Sequence, residues 1–232
     1  MPPPDVSGAD DLPLVVDLDG TLIKTDLLVE TASSFLIEQP WRAGSLLGWL
    51  AAGRSTLKAR LAEDTRVELA SLPYNEELLD WLRAEKQRGR RLVLATASHQ
   101  SLADGVAGHL DLFDEVLGSD AATNLKSHAK RDALVARYGE RGYEYVGNDW
   151  PDVAIWRGAA KAHVVSRSPR LIEAARQHGN LGRVMGDGRL SPLAGLLRAM
   201  RPHQWLKNLL VLMPLLAAHQ YGDPLSVMHA LL

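Results

Sequence analysis

Five short strand-like runs separated by helix-like sequence constrain this chain more than any other feature. They are Leu14–Val16, Leu92–Ala95, Glu115–Leu117, Tyr143–Val146 and His163–Val165. Short, largely apolar runs of this kind suit strands buried on both faces, as in parallel sheets covered by helices on either side. Helical spacing fills the intervals, with Leu102, Val106 and Leu110 before the third run and Lys130 to Tyr138 before the fourth. The pattern predicts a three-layer, doubly wound parallel sheet with right-handed crossovers. Between the first two runs the chain is too long for an ordinary crossover. There Leu27, Leu28, Phe35 and Leu36, then Leu46, Leu47, Trp49 and Leu50, then Leu57 and Leu61 read as short helices broken at Gln39-Pro40 and Gly53. This block, about 26–73, is predicted to be an inserted α-helical cap. Asn75 would cap the next helix, which Gly89 ends.

The first run ends in Asp17-Leu18-Asp19-Gly20-Thr21, two carboxylates one residue apart at the C-terminal edge of a buried strand. Open α/β sheets place ligands at that edge. A solvated acidic turn would also read this way, but polar residues close other runs too: Thr96-Ala97-Ser98 after the second and Gly147-Asn148-Asp149-Trp150-Pro151-Asp152 after the fourth. The 232 residues can hold one domain with an insertion, or two small ones. A formal charge of −2 gives no reason to expect nucleic acid as a partner. The absence of cysteine excludes disulfides and thiolate metal sites. Residues 1–12 have neither a charged nor an apolar leader region and are expected to be a disordered tail.

The DxDGT pattern resembles the first motif of the haloacid dehalogenase (HAD) superfamily of phosphohydrolases. The resemblance covers roughly Pro13 to Val184, with a HAD-like core and cap expected over 13–185. It implies that Asp17 is a nucleophile forming an aspartyl-phosphate and Asp19 the general acid/base. An anionic nucleophile meeting a phosphate dianion is repelled by several kcal/mol at protein-like dielectric, so fixed positive charge is required. Mg²⁺ suits such an all-oxygen site. Thr96 matches the second motif, which hydrogen-bonds a phosphoryl oxygen, and Ser98, Gly20 and Thr21 would assist in binding phosphate. The third motif supplies a lysine, Lys126 or Lys130; counting back from Gly147-Asn148 favours Lys126, whereas Ala129-Lys130-Arg131-Asp132 resembles the motif's helix start. The fourth motif, GDxxxD, has Asn148 at its first acidic position. The resemblance implies a metal cluster drawn from Asp17, Asp19, Asn148, Asp149 and Asp152, with Asp152 orienting the lysine or the metal's waters. A neutral amide at residue 148 should weaken metal binding. The cap resembles that of the phosphoserine-phosphatase-like branch, and Lys24, Thr25, Arg54, Lys58 and Arg60 are its candidate substrate contacts.

Beyond Val184 the character changes. From Arg189 to Gly222 there is no acidic residue, while Arg189, Arg198, Arg201 and Lys207 accumulate. Leu206 to Ala218 is nearly continuous apolar sequence, shorter than the roughly 20 residues that span a bilayer. Leu197 to Asn208 resembles the approach to the first transmembrane helix of UbiA-type prenyltransferases, some of which carry an N-terminal HAD-like domain. The expectation is a basic linker over 186–202 and a C-terminal apolar helix, an incomplete membrane segment, over 203–232. Basic residues before it would keep the core on the cytosolic face. The resemblances together imply an Mg²⁺-dependent phosphomonoester hydrolase acting on a small or prenyl-linked sugar phosphate. The alternative is a catalytically weak module that docks to or regulates a UbiA-type enzyme.

Overall fold

The computed structural model describes residues 12–186 apart from 66, 121–124 and 179, and leaves the side chain of Arg54 undescribed. The chain divides into two compact units, Met1–Leu190 and Ser191–Leu232. The second unit, the expected apolar helix and all but the first residue of the expected linker lie outside the described residues, as does nearly all of the expected N-terminal tail. Among the described residues no helix is long and apolar enough to cross a membrane.

Six parallel strands form the sheet: β1 (Leu14–Val16), β2 (Leu92–His99), β3 (Glu115–Ser119), β4 (Glu144–Gly147), β5 (Lys161–Val165) and β6 (Leu181–Met185). Their order is β3-β2-β1-β4-β5-β6. From β1 the chain winds outward through β2 to β3, then crosses back to β4 and winds the other way. The crevice at the carboxyl ends of β1 and β4 is therefore the topological switch point, where such sheets bind ligands. β6 was not expected from the sequence. Its Leu-Gly-Arg-Val-Met is an edge strand with exposed residues, so it lacks the buried run that marks the other five.

Strand alternation sorts side chains into two cores. Leu14, Val16, Leu92 and Leu94 face one layer, packed on Leu78 and Leu82 of α4 (Glu76–Gln87) and Val106 of α5 (Gln100–Leu110). Val15, Val93 and Tyr145 face the other, against Leu134 of α6 (His128–Tyr138), Trp156 of α7 (Val153–Gly158) and Leu171 of α8 (Pro169–Arg176). Asn75 precedes α4 but does not cap it through its side chain; its amide instead reaches the Thr21 carbonyl at 3.5 Å.

The cap comprises α1 (Leu27–Glu38), α2 (Ala43–Ala51) and α3 (Arg54–Asp64), broken at Gln39-Pro40 and near Gly53 as the sequence predicts. Phe35 and Leu61 are fully buried. Arg42 ties the cap together, pairing with Asp64 at 2.7 Å and lying over the rings of Phe35 and Trp49. The α2 helix buries no residue, and Trp41 and Leu47 stand largely in solvent.

Candidate active site

Asp17 follows β1 directly, and its N–H still bonds the Val146 carbonyl of β4 at 3.0 Å. The strand pair thus fixes its backbone. Gly20 then takes a φ of 72°, the left-handed turn that lets the chain double back, and its N–H meets the Thr25 carbonyl at 3.0 Å. This turn aims Asp17 and Asp19 at different partners. Asp17 Oδ1 accepts from Lys130 Nζ at 2.6 Å, and both side chains are nearly closed to solvent. Asp19 Oδ1 accepts from the Leu27 N–H at 2.7 Å, at the first residue of the cap, and its Oδ2 accepts from Ser98 Oγ at 2.8 Å. Burial first, then the charges of Asp26 and Asp17, raise the Asp19 carboxyl to about 6 against the bonds from Leu27 and Ser98. A carboxyl so poised holds a proton far more readily than an exposed aspartate and can donate it near neutrality.

At the end of β4, Gly147 leaves room that a side chain would fill, since a Cβ there would come within 2.6 Å of Asp152 Oδ2. Asp152 Oδ2 accepts the N–H groups of Asn148 and Asp149 at 2.8 and 3.0 Å, and its Oδ1 accepts from the Tyr145 hydroxyl at 3.1 Å. Burial and the nearby Asp17 raise Asp152 to about 6, opposed by Lys130 and the two backbone bonds. Tyr145 also accepts from Lys130 Nζ at 3.1 Å, and burial together with Asp152 and Asp17 holds its hydroxyl well above the usual phenol range. These groups open onto a cavity of about 360 Å³ walled by Asp17, Asp19, Lys130, Asn148 and Asp149 from the core and by Ser55 and Lys58 from the cap. From α3, Lys58 reaches the Ala97 carbonyl at 2.8 Å, joining cap to core.

This arrangement of an acidic pair after the first strand, a buried lysine from α6 and an acidic loop after the fourth strand sits at the switch point of a parallel sheet. A family model of haloacid dehalogenase-like hydrolases matches residues 14–189. The chain belongs to this family. It is 37% identical over 205 residues to an uncharacterised protein, y4nM, of Sinorhizobium fredii, covering 88% of this chain and 39% of that protein. The chain therefore spans about two fifths of the length of this curated relative. In fold it resembles a protein of unknown function from Bordetella pertussis (16% identity, TM-score 0.56, covering 76% of this chain and 99% of that one). It likewise resembles a substrate-bound phosphoserine phosphatase (14% identity, TM-score 0.51, 75% and 92% covered). A HAD family hydrolase from Salmonella enterica serovar Typhi is similar too (13% identity, TM-score 0.54, 86% and 74% covered).

Within this haloacid dehalogenase-like hydrolase the structure brings most of the sequence candidates together, with some corrections. The counting that favoured Lys126 is not matched by the geometry. Lys126 is exposed at the cavity rim, and Lys130 is the lysine on Asp17. Lys130 lies near the start of α6, so the helix delivers it inward while the loop before the helix carries Lys126 outward. Thr96 and Ser98 do not wall the cavity. The Thr96 hydroxyl accepts the Ser98 N–H at 3.0 Å and lies 3.5 Å from Asp19 Oδ2, so both support Asp19 from beneath. Thr21 is buried, 3.5 Å from Asp17 Oδ2. Of the cap candidates, Lys58 lines the cavity, while Arg60 pairs with Glu63 in solvent. Lys24 and Thr25 are not cavity residues.

Sequence reasoning missed Tyr145. A signal was present: Tyr143 and Tyr145 share one face of a buried strand, and a buried hydroxyl needs a polar partner. The donors fit a hard divalent cation. Several carboxylates line the pocket, among them Asp17, Asp19 and Asp152, beside the buried Lys130, and burial first, with repulsion between carboxylates added to it, raises Asp19 and Asp152. Among the described residues no group of three or more acidic or histidine side chains stands ready to hold a metal. A cation here would thus draw on the Asp19 main-chain carbonyl and the Asn148 amide oxygen as well. Asp152, with both oxygens committed, serves the loop.

Proposed function

We propose that this haloacid dehalogenase-like hydrolase is a Mg²⁺-dependent phosphomonoester hydrolase acting through an aspartyl-phosphate on Asp17. The observation that carries the reading is the buried Lys130–Asp17 pair, 2.6 Å apart, facing a cavity beside a carboxyl, Asp19, raised to about 6. Lys130 pairs directly with the Asp17 carboxylate and puts positive charge where a phosphoryl group would arrive. Asp17 attacks phosphorus, the bond to the leaving oxygen breaks, and Asp19 gives that oxygen its proton. Asp19, now a carboxylate, takes a proton from water as the water attacks the acyl-phosphate, releasing phosphate and restoring Asp17. Asp17, the Asp19 carbonyl and Asn148, with Asp149 beside them, would hold Mg²⁺. The ion would supply positive charge that offsets the repulsion between the nucleophile and the phosphate.

The cap-side cavity, with Lys58 and Ser55 in its wall, suits a small phosphorylated metabolite screened from water. A prenyl-linked sugar phosphate is the finer reading, supported by the UbiA-like segment Leu197 to Asn208, which also favours placement at the cytosolic face of a membrane. One feature supports a second reading, a weakly catalytic module that docks to a membrane prenyltransferase: the neutral Asn148 at a position where the family resemblance implies an acid. The test is turnover of a panel of phosphomonoesters with Mg²⁺, by the full chain and by Asp17→Asn. Turnover abolished in a folded Asp17→Asn protein supports hydrolysis. Turnover retained in it rejects the nucleophile, and a wild type inert across the panel favours the docking reading.

A further inference from the structure

We propose that Tyr145 is a positioning residue, its hydroxyl coupling Asp152 to Lys130 so that the lysine holds Asp17 with one N–H and presents another to the cavity. Donor chemistry fixes the direction of this chain. An ammonium can only donate, so at the 3.1 Å contact the Tyr145 oxygen accepts from Lys130. Its single proton is then committed to Asp152 Oδ1, also at 3.1 Å. Asp152 in turn is anchored by the Asn148 and Asp149 N–H groups on its other oxygen. The result is one connected path from the loop after β4 through Asp152 and Tyr145 to Lys130 and Asp17, all of it buried except Asp149.

The path gives Lys130 two fixed acceptors, Asp17 Oδ1 and the Tyr145 hydroxyl, which set the direction of the third N–H. It also means that Asp152 acts on the lysine through a neutral hydroxyl and not by direct contact. The lysine is therefore not drawn away from Asp17 by a second anion at hydrogen-bond range. The Tyr145 ring belongs to the core beneath, with Val15, Val93, Leu134 and Trp156, so the hydroxyl can be removed while the ring stays packed. Tyr143, on the same strand face, gives a matched comparison: its hydroxyl goes to the Ile155 carbonyl at 3.3 Å, away from the lysine.

The kinetic arm of the test rests on the phosphatase reading; the stability arm does not. With p-nitrophenyl phosphate and Mg²⁺, Tyr145→Phe should lower kcat by about tenfold to a hundredfold, as loss of an outer hydrogen-bond partner commonly does, with KM within about twofold. Tyr143→Phe should leave kcat unchanged. In a Lys130→Met background, Tyr145→Phe should change kcat by less than about twofold, because a residue acting through the lysine has nothing left to position. An equal loss in both backgrounds, or an unchanged kcat in Tyr145→Phe, overturns the proposal. If wild type shows no turnover, the phosphatase reading fails by itself. Urea unfolding of wild type, Tyr145→Phe, Lys130→Met and the double variant then decides the chain: shifts that do not add support it, and additive shifts overturn it.

Discussion

Lys130 Nζ and Asp17 Oδ1 lie 2.6 Å apart although 113 residues separate them in sequence. The contact exists because β1 and β4 are neighbours, and α6, which leads into β4, carries Lys130 over the end of β1. Removing one partner of a buried ion pair leaves the other unpaired, which costs about 3 kcal/mol or more. Lys130→Met should therefore destabilise the fold by about that amount and reduce phosphomonoester turnover at least a hundredfold. Lys126→Met, at an exposed position, should change both by less than about twofold and 0.5 kcal/mol. Denaturant unfolding and steady-state kinetics on the two variants check the assignment, and the reverse ranking would reject it.

Asn148 bears on metal affinity. One added unit charge about 4 Å from a divalent ion is worth about 2 kcal/mol even at the dielectric of water. Repulsion from Asp17 and Asp19 offsets part of that, leaving on the order of tenfold in affinity. Asn148→Asp should bind Mg²⁺ more tightly by calorimetry and work at lower Mg²⁺. An unchanged or weaker affinity would remove residue 148 from the ligand set.

Gly147 is required by close approach. A Cβ would sit 2.6 Å from Asp152 Oδ2 and 2.8 Å from the Tyr145 ring. Gly147→Ala should push Asp152 off the Asn148 and Asp149 N–H groups, costing about 1–3 kcal/mol. Activity should fall along with stability. A urea midpoint equal to that of wild type would show that the loop absorbs the methyl group.

Glu144, itself buried, forms the hub of a charge cluster at the opposite end of β4. It meets Arg90 at 2.6 Å, Lys161 at 3.0 Å and His163 Nε2 at 2.9 Å. The Arg183 N–H donates to His163 Nδ1, so the imidazole proton lies on Nε2 and points to Glu144. Burial would raise the Glu144 carboxyl, but the bonds from His163, Arg90 and Lys161 prevail and lower it from 4.5 to about 2. A carboxyl depressed in the folded state stabilises above its unfolded value and loses that contribution as pH falls through the folded one. Glu144→Gln should thus cost about 3 kcal/mol at pH 7. The gap from wild type should close between pH 4.5 and about 2, as followed by unfolding at stepped pH. A gap constant across that window would remove the charge cluster as its cause.

Local pattern by itself determined the sheet class, the position of the cap and the acidic pair at Asp17 and Asp19. Each depends on residues adjacent in sequence: a buried run gives a strand, an over-long crossover gives an insertion, and a strand end gives a ligand edge. Asn148 was likewise visible as a departure within a contiguous motif. Tertiary structure decided what lies across strands. Lys126 and Lys130 are four residues apart, and only the seating of α6 against the sheet determines which one turns inward. Thr96 and Ser98 proved to support Asp19 because the turn at Gly20 brings that carboxylate over β2. β6 escaped notice because an exposed edge strand needs no apolar run; its pairing with β5 defines it. Tyr145 reads locally as one more buried strand residue. Its hydroxyl acquires a role only where Lys130 and Asp152, from two other segments, close on it in the buried interior.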